Sequence, residues 1–172
     1  MGAGNVISGN SSYGIYLQTA SNLVAGNIIG LNAAGTATRA NSYGIYINNV
    51  GSNTIGGTTA LDRNIISGNT QDGIFIGGNS ASGNVIQGNY VGTDATGASA
   101  LGNSGRGIYL ASSPSNTVGG TTSGSGNLIS ANTLYGIHVT STGNLIVGNT
   151  IGLDATGSSK LANSFGIYLN SS

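Results

Sequence analysis

Short apolar segments recur along the whole chain and are separated by clusters of Gly, Asn, Ser and Thr. Within each segment, apolar residues alternate with polar or small ones, as in the run from Gly73 to Ile76. This period of two, bounded by turn-forming residues, predicts β-strands. No stretch shows the hydrophobic period of a helix.

The segments form a repeat that begins with an Asn and contains three strands. The opening residues of successive repeats are Asn22, Asn53, Asn84, Asn116 and Asn144. One repeat cannot bury its own apolar face, but stacked repeats can pair each strand in parallel with its counterpart. Because parallel crossovers are right-handed, we predict an all-β, right-handed parallel β-helix (a β-solenoid) with three strands per coil and five to six coils. Residues 1–172 are assigned to a single domain, either part of a longer solenoid or a designed or excised repeat array.

The repeat also predicts the inward side chains. Those of the first strand are Val24, Ile55, Ile86, Val118 and Ile146. Those of the second strand are Ile7, Ile29, Ile66, Val91, Ile129 and Ile151. The third strand has two inward columns, namely Ile15, Ile45, Ile74, Ile108, Ile137 and Ile167, and then Leu17, Ile47, Ile76, Leu110, Val139 and Leu169. These columns predict a continuous core along the axis.

Asn residues stand at the corners between strands. We expect a single ladder from the residues that follow a strand-ending Gly or Ala, which are Asn10, Asn27, Asn69, Asn89, Asn132 and Asn149. The Asn residues that open the repeats are expected to align in the same way. Since Asn tolerates tight turns and stacked amides hydrogen-bond along an axis, we assign both sets a structural role.

Longer excursions leave the coil at two different corners. In alternate coils they separate the second and third strands, at 31–41, 93–103 and 153–163, and in the others the first and second strands, at 57–63 and 120–126. Asp94 and Asp154 occupy equivalent positions in these loops, and each begins a turn that contains Gly. We expect both carboxylates to form turns rather than an acid–base pair.

Composition excludes several classes of function. The chain has 32 Gly, no Cys, four basic and four acidic side chains, and a formal net charge of zero. Nucleic-acid and anionic-membrane partners are therefore not expected, because both require positive charge. No long apolar run predicts a membrane span, and the start Met1–Gly4 does not resemble a signal peptide.

No local motif predicts a metal, a cofactor or a catalytic group. The Gly- and Asp-rich calcium repeat of β-rolls is missing, and a single His without Cys excludes an ordinary zinc site. No Ser has the flanking Gly residues of a nucleophile elbow. We therefore predict no catalytic residue, metal ligand or cofactor.

The third strand carries one outward aromatic or imidazole ring per coil. This aromatic stripe consists of Tyr16, Tyr46, Phe75, Tyr109, His138 and Tyr168. One interpretation is a binding strip for an extended polysaccharide, because exposed aromatic surfaces mark interaction sites. The other, which we favour, is stacking of the rings on one another to stabilise the register.

His138 is the only candidate acid or base in the aromatic stripe. With Tyr109 or Tyr168 it would act on a uronic acid polymer, but no Arg or Lys is expected beside it to neutralise the substrate. We expect a partly exposed, stacked His without catalytic function.

Asp72 and Arg106 each precede the Gly of the third strand, in consecutive coils. They are therefore expected to lie one strand spacing apart and to form an exposed ion pair.

The run Asn64–Ile76, with its relatives Asn5–Leu17 and Asn127–Val139, resembles the parallel β-helix repeat of pectin-lyase-like and NosD-like proteins. The loops Thr93–Gly97 and Leu153–Gly157 resemble those of large secreted bacterial repeat proteins. The resemblance implies the β-helix fold and an extracellular or cell-surface location. It leaves the function open, because the superfamily contains polysaccharide-acting enzymes as well as adhesins and inert scaffolds.

We predict a non-enzymatic β-helix scaffold or surface module that contacts carbohydrate weakly through the aromatic stripe. A polysaccharide lyase or epimerase using His138 is the first alternative. Ice binding is the second, although the outward column of the first strand is mixed, with Leu23, Thr54, Val85, Thr117 and Leu145. Because no cap is evident at either end, we also expect end-to-end self-association through the terminal coils.

Overall fold

The computed structural model describes residues 4–170, which contain seventeen short strands and no helix. In chain order these are β1 (Val6–Ile7), β2 (Tyr13–Leu17), β3 (Leu23–Val24), β4 (Ile28–Ile29), β5 (Tyr43–Asn48), β6 (Thr54–Gly56), β7 (Ile65–Ile66), β8 (Ile74–Gly77), β9 (Val85–Gln87), β10 (Tyr90–Val91), β11 (Ile108–Ala111), β12 (Thr117–Gly119), β13 (Leu128–Ile129), β14 (Tyr135–Val139), β15 (Leu145–Val147), β16 (Thr150–Ile151) and β17 (Phe165–Leu169). Within residues 4–170 there is accordingly no helix long and apolar enough to cross a membrane.

The strands form three parallel sheets that run along a common axis. Sheet A contains β1, β4, β7, β10, β13 and β16, and sheet B contains β2, β5, β8, β11, β14 and β17. Sheet C contains β3, β6, β9, β12 and β15. Each strand pairs with the strand three places along the chain, as expected when one coil contributes one strand to each sheet. The prediction of an all-β parallel β-helix with three strands per coil is confirmed.

The inward columns follow the predicted register. In sheet B, for example, Ile74 pairs with Ile45 on one side and with Ile108 on the other. All three are fully buried in one core cluster that extends through the middle coils. The β-branched side chains suit this position because they pack well against identical neighbours on a pleated surface.

Three Asn ladders flank the core, one at each corner of the coil. Their members, in axial order, are Asn22, Asn53, Asn84, Asn116 and Asn144 in the first ladder, Asn5, Asn27, Asn64, Asn89, Asn127 and Asn149 in the second, and Asn10, Asn41, Asn69, Asn103, Asn132 and Asn163 in the third. At each step, the backbone N–H of one Asn donates to the Oδ1 of the next. Side-chain Nδ2 donates to the same Oδ1 at every step but the last of the first ladder, for example at 2.8 Å from Asn69 to Asn103. Asn116 Nδ2 donates instead to backbone carbonyls such as that of Ala81.

The predicted grouping of the corner Asn residues was wrong. Asn10, Asn69 and Asn132 belong to the third ladder, whereas Asn27, Asn89 and Asn149 belong to the second. The excursions cause this difference, because they move from one corner to the other in alternate coils. The Asn at a given corner therefore directly follows a strand in one coil and follows a loop in the next coil.

The excursions between the second and third strands fold over the outer face of sheet A. Each is closed by an antiparallel bridge, such as the one between Leu31 and Thr38. Leu31 packs with Ile28 and Ile65 in a second buried cluster outside the coil. The loops also touch one another across two coils, where the Ala95 N–H donates to the Gly35 carbonyl at 3.0 Å.

The Asp residues of these loops form turns, as predicted. In the last loop, Asp154 Oδ1 accepts hydrogen bonds from the Ser158 and Ser159 N–H groups and from the Thr156 hydroxyl. The Ser159 N–H, followed by the Thr156 hydroxyl, lowers the pKa of Asp154 to about 2. Asp94 makes the equivalent bonds to residues 96, 98 and 99. These carboxylates are thus occupied by the backbone of their own loops.

Residues 1–3 and 171–172 lie outside the described residues, so the expectation of a bare start and a bare end falls partly on them. Among the described strands of the last coil, β17 is exposed along its length, including Ile167 and Leu169.

Candidate functional site

The outer face of sheet B carries two adjacent columns of large side chains. The aromatic stripe is the first, and its register is as predicted, with Tyr109 paired to Phe75 on one side and to His138 on the other. The second column lies three residues before the first, with a Gly and an Ile between them. It contains Tyr13, Tyr43, Asp72, Arg106, Tyr135 and Phe165. Together the two columns form what we call the aromatic face.

A backbone geometry that recurs in each coil, rather than regular alternation, places the second column on the outer face. The Gly that follows it, such as Gly73, faces inward, where a Cβ would lie 2.7 Å from the Gly107 carbonyl of the next coil. No larger residue fits there without moving the backbone of the adjacent coil. Asp72, immediately before this Gly, is consequently directed to the outer face beside Arg106.

The rings pack against one another, but they do not form a uniform stack. Tyr46 lies parallel to Phe75 with centroids 4.4 Å apart, whereas Phe75 meets Tyr109 edge to face at 5.3 Å. Tyr109 and the His138 ring are again parallel, at 4.6 Å. Because the orientation changes from coil to coil, the face presents both ring edges and ring faces.

Four tyrosines make up the N-terminal part of the aromatic face. Tyr13 lies 4.7 Å from both Tyr16 and Tyr46, and Tyr43 lies 5.3 Å from Tyr46. Tyr16 is 41 % exposed, and the other three are partly exposed. We call this group the tyrosine platform. Burial raises the pKa of Tyr46, and burial together with the Asp72 charge raises that of Tyr43, so both remain neutral hydroxyls at physiological pH.

Two exposed amides border the tyrosine platform. Gln18 Nε2 donates to the Tyr16 hydroxyl at 3.1 Å, and Asn48 Nδ2 donates to the same oxygen at 2.9 Å. Both amides follow their tyrosines by two residues and point to the same side of the sheet, as expected from strand geometry. The platform therefore combines aromatic surface with uncharged donors and acceptors.

A polar cluster crosses the aromatic face in the third to fifth coils. Arg106 Nη1 lies 3.4 Å from Asp72 Oδ2, which confirms the predicted ion pair. In addition, the Arg106 backbone N–H donates to Asp72 Oδ1 at 2.7 Å. The expectation of an exposed pair was wrong, since the side chain of Asp72 is only 5 % exposed and that of Arg106 27 %. Burial raises the pKa of the Asp72 carboxyl, and the contacts with Arg106 offset only part of that effect.

His138 is joined to this cluster, contrary to two expectations from the sequence. It is buried, at 6 % exposure, rather than partly exposed. An Arg does lie beside it, because Arg106 Nε donates to His138 Nδ1 at 3.0 Å. Since Nδ1 accepts this bond, Nε2 carries the proton and donates to Asn170 Oδ1 at 2.7 Å.

Sequence reasoning missed this contact because it considered only neighbours within a column. Arg106 and His138 are one coil apart but belong to different columns, and the guanidinium crosses between them while lying 4.1 Å above the Tyr109 ring. The length of the Arg side chain could have indicated this contact, because a long side chain reaches diagonal neighbours on a sheet.

Elsewhere in residues 4–170, neither the polar clusters nor the grooves form a site with evident chemistry. No group of three or more His, Asp or Glu side chains lies close enough to hold a metal ion within residues 4–170. A groove of about 370 Å³ on sheet A, lined by Ile28, Leu61, Arg63 and Ala95 among others, is mostly apolar. The aromatic face is therefore the candidate site.

Comparison with known proteins identifies one family. The family described as "Periplasmic copper-binding protein (NosD)" matches residues 57–156, which is more than half of the chain. No curated protein and no solved structure matches the chain.

Proposed function

Because the chain belongs to the NosD family, we propose that it is a non-catalytic β-helix scaffold of a secreted or periplasmic bacterial repeat protein. In this proposal, the scaffold binds polysaccharide weakly through the aromatic face. The observation that carries it is the unbroken run of ring contacts along sheet B, from Tyr13 and Tyr16 to Phe165 and Tyr168. Aromatic surface that is held rigid and partly exposed is suited to contact with an extended polymer.

The rigidity of this face supports the proposal. In the second to fifth coils, the rings are attached to strands whose inward neighbours are buried and whose corners are tied by Asn ladders. A pre-organised surface loses little conformational entropy on binding. Self-stacking and binding are thus compatible, because the contacts that order the rings leave part of each tyrosine and phenylalanine ring of the face accessible.

Copper, which the family description names, does not fit the described residues. Copper sites use Cys, Met and His ligands, and this sequence has no Cys, one Met and one His. Both ring nitrogens of His138 are already hydrogen-bonded, and Arg106 places a permanent positive charge against Nδ1. We therefore derive no chemistry from copper for these coils.

A location outside the cytoplasm is part of the proposal. The family description refers to the periplasm, and the loop sequences resemble those of secreted repeat proteins. A polysaccharide ligand is consistent with that location, since such polymers surround the bacterial cell. The fraction of a tagged, full-length gene product recovered from periplasm or medium would test it, and exclusive recovery from the cytoplasm would contradict it.

A polysaccharide lyase or epimerase is the second candidate, favoured by the Arg106 guanidinium next to His138. Such enzymes need a base with an accessible lone pair. The only accepting nitrogen of His138 is Nδ1, which already receives the Arg106 Nε–H. We therefore propose that His138 is structural. Turnover of pectate or alginate that is abolished by His138→Gln would overturn this assignment.

The mixed outward column of sheet C gives no support to the ice-binding alternative. Thr54 pairs with Leu23 on one side and with Val85 on the other, so threonines do not follow one another along the axis. A thermal-hysteresis measurement would test this alternative directly.

The proposed function is tested by affinity electrophoresis in gels that contain soluble polysaccharides. Retardation is expected for the full chain and should decrease for Tyr43→Ala and Tyr46→Ala, whose rings pack together in the aromatic face. Leu23→Ala is the matched control, because Leu23 is exposed on sheet C. The proposal fails if no polysaccharide retards the protein, or if the control reduces retardation as much as the ring variants do.

A further inference from the structure

We infer that the tyrosine platform with Gln18 and Asn48 is the binding part of the aromatic face, and that its ligand is a neutral, hydroxyl-rich polysaccharide. This inference rests on the proposed function and specifies both the site and the ligand class. It follows from a difference in hydrogen bonding between the two ends of the face. Polar side chains at one end can still bond to a ligand, whereas those at the other end bond to one another.

At the N-terminal end, polar groups remain available for a ligand. Gln18 and Asn48 both donate to the Tyr16 oxygen, which leaves the Tyr16 hydroxyl proton to donate elsewhere. Among the described residues, neither the Gln18 Oε1 nor the Asn48 Oδ1 accepts a hydrogen bond. One hydroxyl donor and two carbonyl acceptors therefore stand together at the edge of four rings. Sugar hydroxyls match this set, since each one both donates and accepts.

At the C-terminal end, the corresponding polar groups already bond to one another. Asn170 Oδ1 accepts from His138, which in turn accepts from Arg106. Thr140, two residues after His138, accepts from the Ser112 N–H at 3.1 Å. A ligand at this end would have to break these hydrogen bonds. The free energy lost in breaking them would weaken its binding.

Between the two ends, the row of polar side chains is interrupted. The positions that pair with Asn48 and continue its column are Gly77 and Ala111. Gly77 is required because the Phe75 ring lies over it, and a Cβ would come within 2.5 Å of that ring. The polar border beside the tyrosine platform therefore ends after the second coil and is separated from Thr140 and Asn170 by two coils without a polar side chain in this column.

The charges of the face determine the ligand class. Asp72 and Arg106 are the charged groups of the aromatic face, and they neutralise one another at 3.4 Å. The tyrosine platform, with Gln18 and Asn48, contains no Asp, Glu, Lys or Arg side chain. An anionic polymer would meet no uncompensated cation here, whereas a neutral glycan needs only hydrogen bonds and aromatic contact.

Isothermal titration calorimetry of the full chain with a soluble neutral β-glucan and with polygalacturonate tests the inference. The glucan should bind, and the double variant Gln18→Ala/Asn48→Ala should weaken it about 10-fold, the size expected for two net hydrogen bonds. Tyr16→Phe, which keeps the ring, should weaken it about 3-fold. Thr140→Ala, at the position of the fifth coil that corresponds to Gln18, is the matched control and should leave the affinity unchanged. All these positions lie on the outer face, so circular dichroism should verify that each variant folds.

Several outcomes separate this inference from the proposed function. If the glucan binds and ring variants such as Tyr46→Ala weaken it, but the Gln18/Asn48 double variant does not, the inference fails and the proposed function stands. Preferential binding of polygalacturonate, lost in Arg106→Met, would likewise overturn the ligand class alone. If neither polymer binds, both statements fail.

Discussion

The outer faces of sheets A and B are built on the same repeat but have opposite environments. On sheet A, Ile28 and Ile65 point away from the core and are nevertheless buried, at 7 % and 6 % exposure, because the loops cover them. Among residues 4–170 no excursion loop covers the outer face of sheet B, where Tyr16 and Phe165 are exposed. The comparison shows that the corner at which the chain leaves the coil decides which outer face becomes a second core and which stays open.

The residue types of the two faces agree with this difference. Under the loops, aliphatic side chains pack with Leu31 as in an ordinary core. On the open face, tyrosines combine a large apolar ring with a hydroxyl that stays in water. Arg106 and Asp72 interrupt the aromatic columns there, as a pair that is partly buried between the rings.

The largest loss of stability is expected for a substitution in the core of the coil. It serves as the reference for substitutions on the two outer faces. Ile74→Ala should reduce the free energy of unfolding by about 2 to 5 kcal/mol, because Ile45 and Ile108 enclose the side chain and a cavity would remain. Phe75→Ala, on the open face of the same strand, should cost less. Chemical denaturation of both variants checks the order, and the reverse order would mean that the two faces are exchanged.

Removal of the guanidinium should be the most damaging single change on the open face. Arg106→Met should cost about 3 kcal/mol, because it leaves the buried Asp72 carboxylate without its ion-pair partner. In that background, Asp72→Asn should restore most of the stability by removing the charge. Denaturation of the single and double variants forms a cycle, and additive losses would show that the pair is not coupled.

The packing of the excursion loops on sheet A should contribute a smaller but measurable part of the free energy of unfolding. Leu31→Ala should cost about 2 kcal/mol, at the low end for a buried leucine, because the loop above it is free to settle into the space. Leu61→Ala provides the control, since Leu61 belongs to an excursion loop but is exposed. Equal stabilities of the two variants, measured by thermal unfolding, would show that the loops do not form a second core.

The smallest predicted effect is the pH dependence that Asp72 produces. Its folded pKa is raised above the ordinary value of 3.8, so the folded protein binds the proton more tightly than the unfolded chain does. This contribution to stability is fully present below pH 3.8 and is lost as the pH rises through the folded pKa. Asp154 has the opposite sign, because its lowered pKa makes stability fall as the pH falls.

The difference between wild type and Asp72→Asn isolates this contribution from that of Asp154. Unfolding free energies measured from about pH 3 to pH 7 should show wild type declining relative to the variant as the pH rises. A difference that does not change with pH would contradict a raised pKa for Asp72.

Several features of the candidate site could be predicted from the sequence because strand pairing is a local rule. Alternation and repeat length place Tyr16, Tyr46 and Phe75 in one outward column, and the pairing of the strands confirms it. The same register predicts that Asp72 and Arg106 are neighbours. In a parallel stack, the side chain at a given position always meets its counterpart one coil away.

Other features depended on how side chains cross between columns. Arg106 reaches His138, and Gln18 and Asn48 converge on one hydroxyl, through side-chain torsions that the repeat does not specify. The register gives the position of each Cα, but a long side chain can turn toward several neighbours.

The sequence by itself thus determined the fold and the inward and outward columns, because hydrophobic periodicity and backbone pairing act between equivalent positions. Only the tertiary structure decided which Asn joins which ladder, since the excursions change the spacing between corners from coil to coil. It also decided that His138 is buried and that one outer face is covered while the other is open. Burial depends on which loop or side chain crosses a surface, and those contacts join residues that no repeat period relates.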